Sequence, residues 1–329
     1  MPATKKNRKQ IKLVVPTLLL LTLMVFFISE AYSQFVSIEL YSSKQEYFLN
    51  EDVVFFGNLT HIGVKVDDGI IALQIVDPAN ETLTIRVAST GNVSQEDYPV
   101  RITQFYPSDS IGNPRTTPYS KGTFAYLTTY VTSYDLIAHN LYFAVNIYDK
   151  NGKSWAVSHS TGTIQPEENK IIIFGYPISF QFPSGTATAY AVALTDQPKN
   201  DGMPLCPEAE TTFQVATSEI TQIVTSSYQN GDFYLNFSIP NNSSPGNYTV
   251  HATSAYKGST ATKQLTFKIR VPDLNNDGTV DIYDLIIVSA AFGSVIEDPN
   301  WNPIADVNGD KSVDIYDLIL VASSFGWEE

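Results

Sequence analysis

Two stretches near the C-terminus of this 329-residue chain hold the residues best suited to chemistry. Residues 273–284 read Asp-Leu-Asn-Asn-Asp-Gly-Thr-Val-Asp-Ile-Tyr-Asp. Residues 306–317 read Asp-Val-Asn-Gly-Asp-Lys-Ser-Val-Asp-Ile-Tyr-Asp, in register 33 residues later. Each supplies side-chain oxygen at positions 1, 3, 5, 9 and 12, and a backbone carbonyl at position 7. A hard cation takes about six to eight oxygens at about 2.3–2.6 Å, and a loop with this spacing delivers them as it curls round the ion. The expected Ca2+ ligands of the first loop are Asp273, Asn275, Asp277, the carbonyl of Thr279, Asp281 through water, and Asp284. Those of the second are Asp306, Asn308, Asp310, the carbonyl of Ser312, Asp314 and Asp317. Two ions are expected. Position 6 favours positive φ, which suits Gly278 and not Lys311, so the second site is the weaker expectation; Gly309 is placed to relieve it.

Each loop runs into an apolar segment, 282–293 and 315–326. Leu285, Val288 and Phe292 share one helical face, as do Leu318, Val321 and Phe325. Gly293 and Gly326 are natural stops. The β-branched content makes both segments weak helix formers, so ion binding and mutual packing must order them.

This duplicated loop-and-helix unit, spanning 271–329, resembles the type I dockerin domain. The resemblance implies a calcium-folded module that binds a cohesin-like partner. It implies that loop positions 10 and 11 and the following helix set specificity. In this chain these positions are Ile282, Tyr283, Ser289 and Ala290 in the first repeat, and Ile315, Tyr316, Ala322 and Ser323 in the second. The family's small polar pair at positions 10 and 11 is replaced by Ile-Tyr. That implies a more apolar interface, or an internal docking role between repeats; packing of Tyr283 and Tyr316 inside the module is the structural alternative. The near-identity of the repeats implies binding in two orientations related by a half turn.

The rest of the chain must carry this module. Its charge is uneven. Residues 1–34 hold five basic residues and one acidic; residues 271–329 hold one basic and 12 acidic. With a net charge of −14, nucleic acid is not an expected partner. A single cysteine excludes an intramolecular disulfide, and four scattered histidines argue against a zinc enzyme.

At the N-terminus, Lys5, Lys6, Arg8, Lys9 and Lys12 precede an apolar run over 13–28. Ala31-Tyr32-Ser33 then offers a cleavage site before Gln34. Residues 1–33 are expected to be a signal peptide or, if uncut, a membrane anchor. Either way the remainder lies outside the membrane. Asn-X-Ser/Thr sequons at Asn58, Asn80, Asn92, Asn236, Asn241, Asn242 and Asn247 fit a secreted or cell-surface glycoprotein.

Between 35 and 270 the sequence breaks into short β-rich runs separated by Gly, Pro, Asn and Asp. Residues 141–148 alternate Leu141, Phe143, Val145 and Ile147 with Tyr142, Ala144, Asn146 and Tyr148, and Asn151-Gly152 then signals a hairpin. Phe233, Leu235, Phe237 and Ile239 form another period-2 face, with Asn236 opposite. Residues 220–226 are a further strand candidate, 92–122 an irregular loop, and 162–170 a linker. The expected domains are a β-sandwich over 35–165 and a second over 166–270. Ser244-Pro245-Gly246-Asn247-Tyr248-Thr249-Val250 is similar to the turn and penultimate strand of immunoglobulin-like and macroglobulin-like surface domains. The expected fold class is therefore mainly β, two immunoglobulin-like sandwiches followed by a small duplicated α-helical calcium-loop module.

No catalytic constellation stands out. Glu208 and Glu210 are not marked as a pair across a cleft, His61, His139, His159 and His251 are scattered, and Cys206 has no base beside it. The expected function is a non-catalytic attachment protein whose sandwiches act as spacers or adhesive modules. The second reading is a carbohydrate-binding or polysaccharide-degrading component of a cohesin–dockerin complex, with surface polysaccharide as a further partner. Trp155, Tyr142 and Tyr148 are its candidate sugar-stacking residues.

Overall fold

The computed structural model describes residues 36–49, 51–216, 231–239 and 243–329. The expected signal segment, the strand candidate at 220–226 and the sequons at Asn241 and Asn242 lie outside these residues. Among the described residues the strands form four sheets.

The first sheet has the order β1 (Val36–Ser42), β3 (Asp52–His61), β14 (Asp232–Ser238), with β4 (Val64–Lys65) hairpinned onto β3. The second has the order β2 (Glu46–Phe48), β16 (Ser259–Arg270), β15 (Gly246–Tyr256), β5 (Ile70–Val76), β6 (Thr82–Ser89). These two face each other. Ile38, Leu40, Phe55, Phe233 and Phe237 from one interleave with Leu73, Ile75, Tyr248, Val250 and Phe267 from the other. The period-2 face of 233–239 is the reason β14 sits here: its apolar residues are buried, while Asn236 points out.

The second sandwich lies between these pieces in sequence. One sheet has the order β11 (Asn169–Pro177), β8 (Phe124–Ser133), β7 (Val100–Ser108); the other has β10 (Ser154–Ile164), β9 (His139–Tyr148), β12 (Gly185–Leu194), β13 (Ala209–Val215). Its core holds Ile102, Leu127 and Val131 against Phe143, Val145, Ile147 and the small inward residues Ala187, Ala189 and Ala191 of β12. The Asn151-Gly152 signal is met: Gly152 donates to the Asp149 carbonyl at 3.0 Å, and β9 pairs with β10.

The pairing corrects the expected division at residue 165. Asn236 in β14 pairs with Val54 in β3, and Thr249 in β15 pairs with Val76 in β5. The first sandwich is thus built from two separated segments, 36–89 and 231–270, and the second is inserted between them. Residues 162–170 are no linker. They end β10 and begin β11 around a tight turn in which Glu168 donates to the Gln165 carbonyl at 3.1 Å. The stretch 92–122 is only partly irregular, because β7 runs through it, pairing with β8 across a bulge.

The sandwiches also press on each other. Ile70, Ala72, Ile85 and Val87 of the first bury against Tyr142, Ala144, Val192 and Leu194 of the second. This explains why β5 is buried at every position: both of its faces are covered. The one polar residue within β5, Gln74, is satisfied across the seam. Its amide donates to Thr82 and Gln197, and its carbonyl accepts from the Lys199 N–H at 2.8 Å.

Two short helices, α1 (Ile282–Ala291) and α2 (Ile315–Ser323), close the chain. Their core includes Val280, Val288, Val313 and Val321, all fully buried. Phe48 of β2 belongs to that core, and Val271 and Trp327 pack against both it and the core of the first sandwich.

Candidate metal loops and docking faces

Each helix begins inside its acidic loop. Asp281 is the N-cap of α1, with Oδ1 accepting from the Tyr283 N–H at 2.8 Å. Asp284 answers from the first turn, its Oδ2 accepting from the Asp281 N–H at 2.8 Å. Asp314 and Asp317 repeat this capping box on α2. The caps start helices that propensity alone would not hold at this length.

The loop side chains are drawn inward by the loop's own amides. Asp273 accepts from the N–H groups of Asp277 and Gly278 at 3.2 and 2.9 Å. Asn275 accepts from Asp277 at 3.0 Å and donates to its carboxylate at 2.8 Å. Asp277 takes the N–H and hydroxyl of Thr279 at 3.0 and 2.7 Å. Asp284, fully buried, accepts from the N–H groups of Leu274 and Asn275 at 2.6 and 3.2 Å. The second loop repeats each contact around Asp306, Asn308, Asp310, Ser312 and Asp317. Hydrogen bonds from Thr279 and Asn275 hold Asp277 below the ordinary carboxylate range, and those from Ser312 and Asn308 do the same for Asp310.

These residues fit a calcium ion by their chemistry. The donors are all oxygen, as a hard cation requires. Four carboxylates crowd each loop, and among the described ion pairs none reaches them. Asp284 and Asp317 are buried acids with amide partners and no counter-charge, an arrangement a cation would compensate. Among the described residues no three His, Cys, Asp or Glu side chains converge on one point. The Asn amides and the carbonyls of Thr279 and Ser312 are therefore needed to complete either set.

Backbone strain distinguishes the loops. Gly278 has φ 86° and Lys311, at the same position, φ 73°. Two positions earlier the assignment reverses, with Asn276 at φ 57° and Gly309 at φ 76°. Both loops adopt the same path with one glycine each, placed differently. The second holds a lysine in the left-handed region, at a cost of about 1–3 kcal/mol.

The repeats are joined crosswise by backbone bonds. Val280 donates to Trp327 at 2.9 Å and accepts from Gly326 at 2.8 Å; Val313 donates to Ser294 at 2.9 Å and accepts from Gly293 at 2.8 Å. All partners are offset by 33 residues, so the module has an internal two-fold relation. It leaves matching faces open. Ile282, Tyr283 and Ile286 are 53, 62 and 52% exposed; Ile315, Tyr316 and Ile319 are 52, 63 and 53% exposed. Ser289, Ala290, Ala322 and Ser323 are exposed as well. The two tyrosines are thus not packed inside the module. Ile286 and Ile319 extend these faces and were missed at the sequence level, although a second apolar stripe one turn along from Ile282 and Ile315 was there to be read. Phe292 and Phe325 leave the helical core face: each lies beyond the last helical residue and is half exposed.

The remaining candidates look different in three dimensions. Tyr142 and Tyr148 point away from their own core as expected, yet are buried by the first sandwich. Thr84 lies 2.6 Å from the Tyr148 hydroxyl. Trp155 lies edge-on against Phe182, 4.7 Å between centroids. Cys206 is buried, and desolvation pushes its thiol up to about 12, which makes it inert. Glu208 is paired with Arg86 at 2.6 Å.

A duplicated acidic-loop and helix module of this kind is an attachment class rather than a catalytic one. Residues 271–325 match the family model of the dockerin type I domain, and this segment of the chain is a dockerin type I domain. Dockerin domains bind calcium and attach their proteins to cohesins, and the module itself is non-catalytic. No curated protein sequence matches this chain. Solved structures overlap parts of the β region. The C-terminal domain of wzt aligns with TM-score 0.32 and 12% identity over 39% of this chain and 84% of that one. A CARDB domain from Pyrococcus furiosus aligns with TM-score 0.25 and 18% identity over 39% and 96%. The Bacteroides uniformis β-glucuronidase aligns with TM-score 0.28 and 8% identity over 53% and 27%, so this chain spans about a quarter of that enzyme. At these scores the overlaps carry no functional argument. Among the described residues no helix is long and apolar enough to cross a membrane.

Proposed function

We propose that this chain is an exported, non-catalytic attachment protein. Its dockerin type I module folds around two calcium ions and seats a cohesin-like partner on the Ile-Tyr-Ile faces of α1 and α2. The observation that carries this reading is the matched exposure of those faces on the two sides of one pseudo-symmetric module. An exposed isoleucine–tyrosine–isoleucine row is costly in water and suits an apolar interface. The ligand sets are Asp273, Asn275, Asp277, Thr279, Asp281 and Asp284, and Asp306, Asn308, Asp310, Ser312, Asp314 and Asp317. Asp281 and Asp314 act mainly as helix caps and reach the ion through water. The basic and apolar N-terminal sequence and the sequons support export to the cell surface or medium. The paired sandwiches form the body that the module tethers.

Calorimetric calcium titration of the full chain tests the metal, with two ions bound per chain expected. Binding to an immobilised type I cohesin, with and without calcium, tests the partner. Tyr283→Asp or Tyr316→Asp alone should leave cohesin binding within a fewfold, because the other face remains. The double variant should abolish it. Cohesin binding that survives the double variant, or that ignores calcium, overturns the reading.

A further inference from the structure

The outward face of β12 changes character along its length. Thr186, Thr188 and Tyr190 give way to Val192 and Leu194. On β9 the register partners of Leu194 and Val192 are Tyr142 and Ala144, and those of Tyr190 and Thr188 are Asn146 and Tyr148. The apolar half is covered by the first sandwich. The polar half opens into a cleft of about 540 Å³ between the sandwiches, within the range of about 300–1,000 Å³ typical of small-molecule sites. Its opposite wall is β14, presenting Tyr234 and Asn236, and the 149–152 turn stands at its rim.

Apart from Lys150, the charged side chains around this cleft are already engaged. Arg86 holds Glu208 by two bonds, at 2.9 and 2.6 Å, and its guanidinium lies 3.4 Å from the Tyr190 ring centre. It has little left to offer an anion. Glu208 also accepts from the Val87 N–H at 2.8 Å. Asp149 accepts from the N–H groups of Asn151 and Lys153 at 2.8 and 3.1 Å, and Asp52 accepts from the Ser238 hydroxyl. These carboxylates are engaged, which disfavours a cation. What remains for a ligand is an exposed tyrosine ring, Tyr234 at 40%, beside the hydroxyl of Thr188, the amide of Asn236 and the ammonium of Lys150. An aromatic face among hydroxyl, amide and ammonium hydrogen-bonding groups matches the C–H face and hydroxyl rim of a sugar ring.

We propose that this inter-sandwich cleft binds a neutral carbohydrate, stacked on Tyr234 and hydrogen-bonded from Thr188, Lys150 and Asn236. The sugar has two sources: a free oligosaccharide, or a glycan attached at Asn236, whose sequon Asn236-Phe237-Ser238 lies in the lining. The proposal goes beyond attachment and does not depend on it.

Full chain produced without glycosylation is titrated by calorimetry with cellotetraose, maltotetraose, xylotetraose and mannotetraose. Saturable binding of at least one is expected. Tyr234→Ala should weaken it at least tenfold, and Thr188→Arg, which fills the cleft, should abolish it, each with an unchanged melting temperature. Ile171→Ala, on the far sheet, should have no effect. Chain from a glycosylating host is then compared with its Ser238→Ala variant, which removes the sequon and keeps the Asn236 side chain. Binding lost in the former and kept in the latter assigns the cleft to the protein's own glycan; equal binding assigns it to a free sugar. No saturable binding of any tetrasaccharide, or binding unchanged in both cleft variants, overturns the proposal. Cohesin binding should be unaltered throughout, so failure here leaves the attachment reading standing.

Discussion

Val280 donates its backbone N–H to the carbonyl of Trp327 at 2.9 Å, tying the first acidic loop to the end of the chain. Glu329 then donates to Gly278 at 2.9 Å, so the tail runs alongside the loop. Its two-fold counterpart is the bond from Val313 to Ser294, yet only Trp327 also reaches the core of the first sandwich. With Val271 packed on the same core, the module is anchored to the body of the protein while both Ile-Tyr-Ile faces stay open.

Removing that anchor should be costly. Trp327→Ala strips a large ring from contact with two cores. For a partly buried ring the loss should lie at or below the lower end of the usual range, about 3 kcal/mol. Calorimetric melting should show the helical module separating from the sandwiches as an earlier transition. A single unshifted transition would mean that the contact contributes little.

Relieving the strain in the second loop should have the opposite effect. Lys311→Gly removes a left-handed lysine and should stabilise the calcium-free module by about 1 kcal/mol. Gly278→Ala, at the equivalent place in the first loop, should destabilise by a similar amount. Thermal melts followed by circular dichroism with chelator present would check both signs.

Arg86 and Glu208 form a mostly buried, bidentate pair across the seam. Arg86→Met leaves an uncompensated carboxylate and should cost about 3–5 kcal/mol, whereas Arg86→Met with Glu208→Gln should recover most of it. Urea denaturation of both single variants and the double variant gives the coupling. Additive losses would mean that the pair does not act as a unit.

Glu210 pairs with Tyr190 in the sheet register, and desolvation raises its carboxyl above the ordinary 4.5, with Arg86 opposing and Glu208 adding to the shift. The unfolded chain loses this proton first, so folding stability falls as pH rises through and above that value. Glu210→Gln should raise the melting temperature at pH 7 and make little difference at pH 4. An equal gain at both values would point to packing instead of charge.

The parts legible in the sequence are those governed by near neighbours. Asp281 and Asp284 lie three residues apart, so the capping box follows from local geometry, as does the loop spacing that draws Asp273 and Asp277 inward. The alternation in 141–148 and 233–239 gave the strands and their buried faces correctly. Tyr142 is the instructive failure. Period 2 places it outside its own sandwich, but no pattern within one strand reveals that another domain covers it.

By itself, the sequence determined the duplicated acidic loops, the short helices that follow them, the β-rich body and the identity of the C-terminal module. Only the tertiary structure decided that β14 and β15 return to join β3 and β5, placing one sandwich inside the other in chain order. It alone decided that the two bodies share a seam with an open cleft, and that Tyr283 and Tyr316 face water. The physical reason is range. Turn geometry, capping and strand alternation act over a few residues, whereas strand partners and covered faces depend on burying apolar surface between segments more than 150 residues apart, such as Asn58 and Asp232.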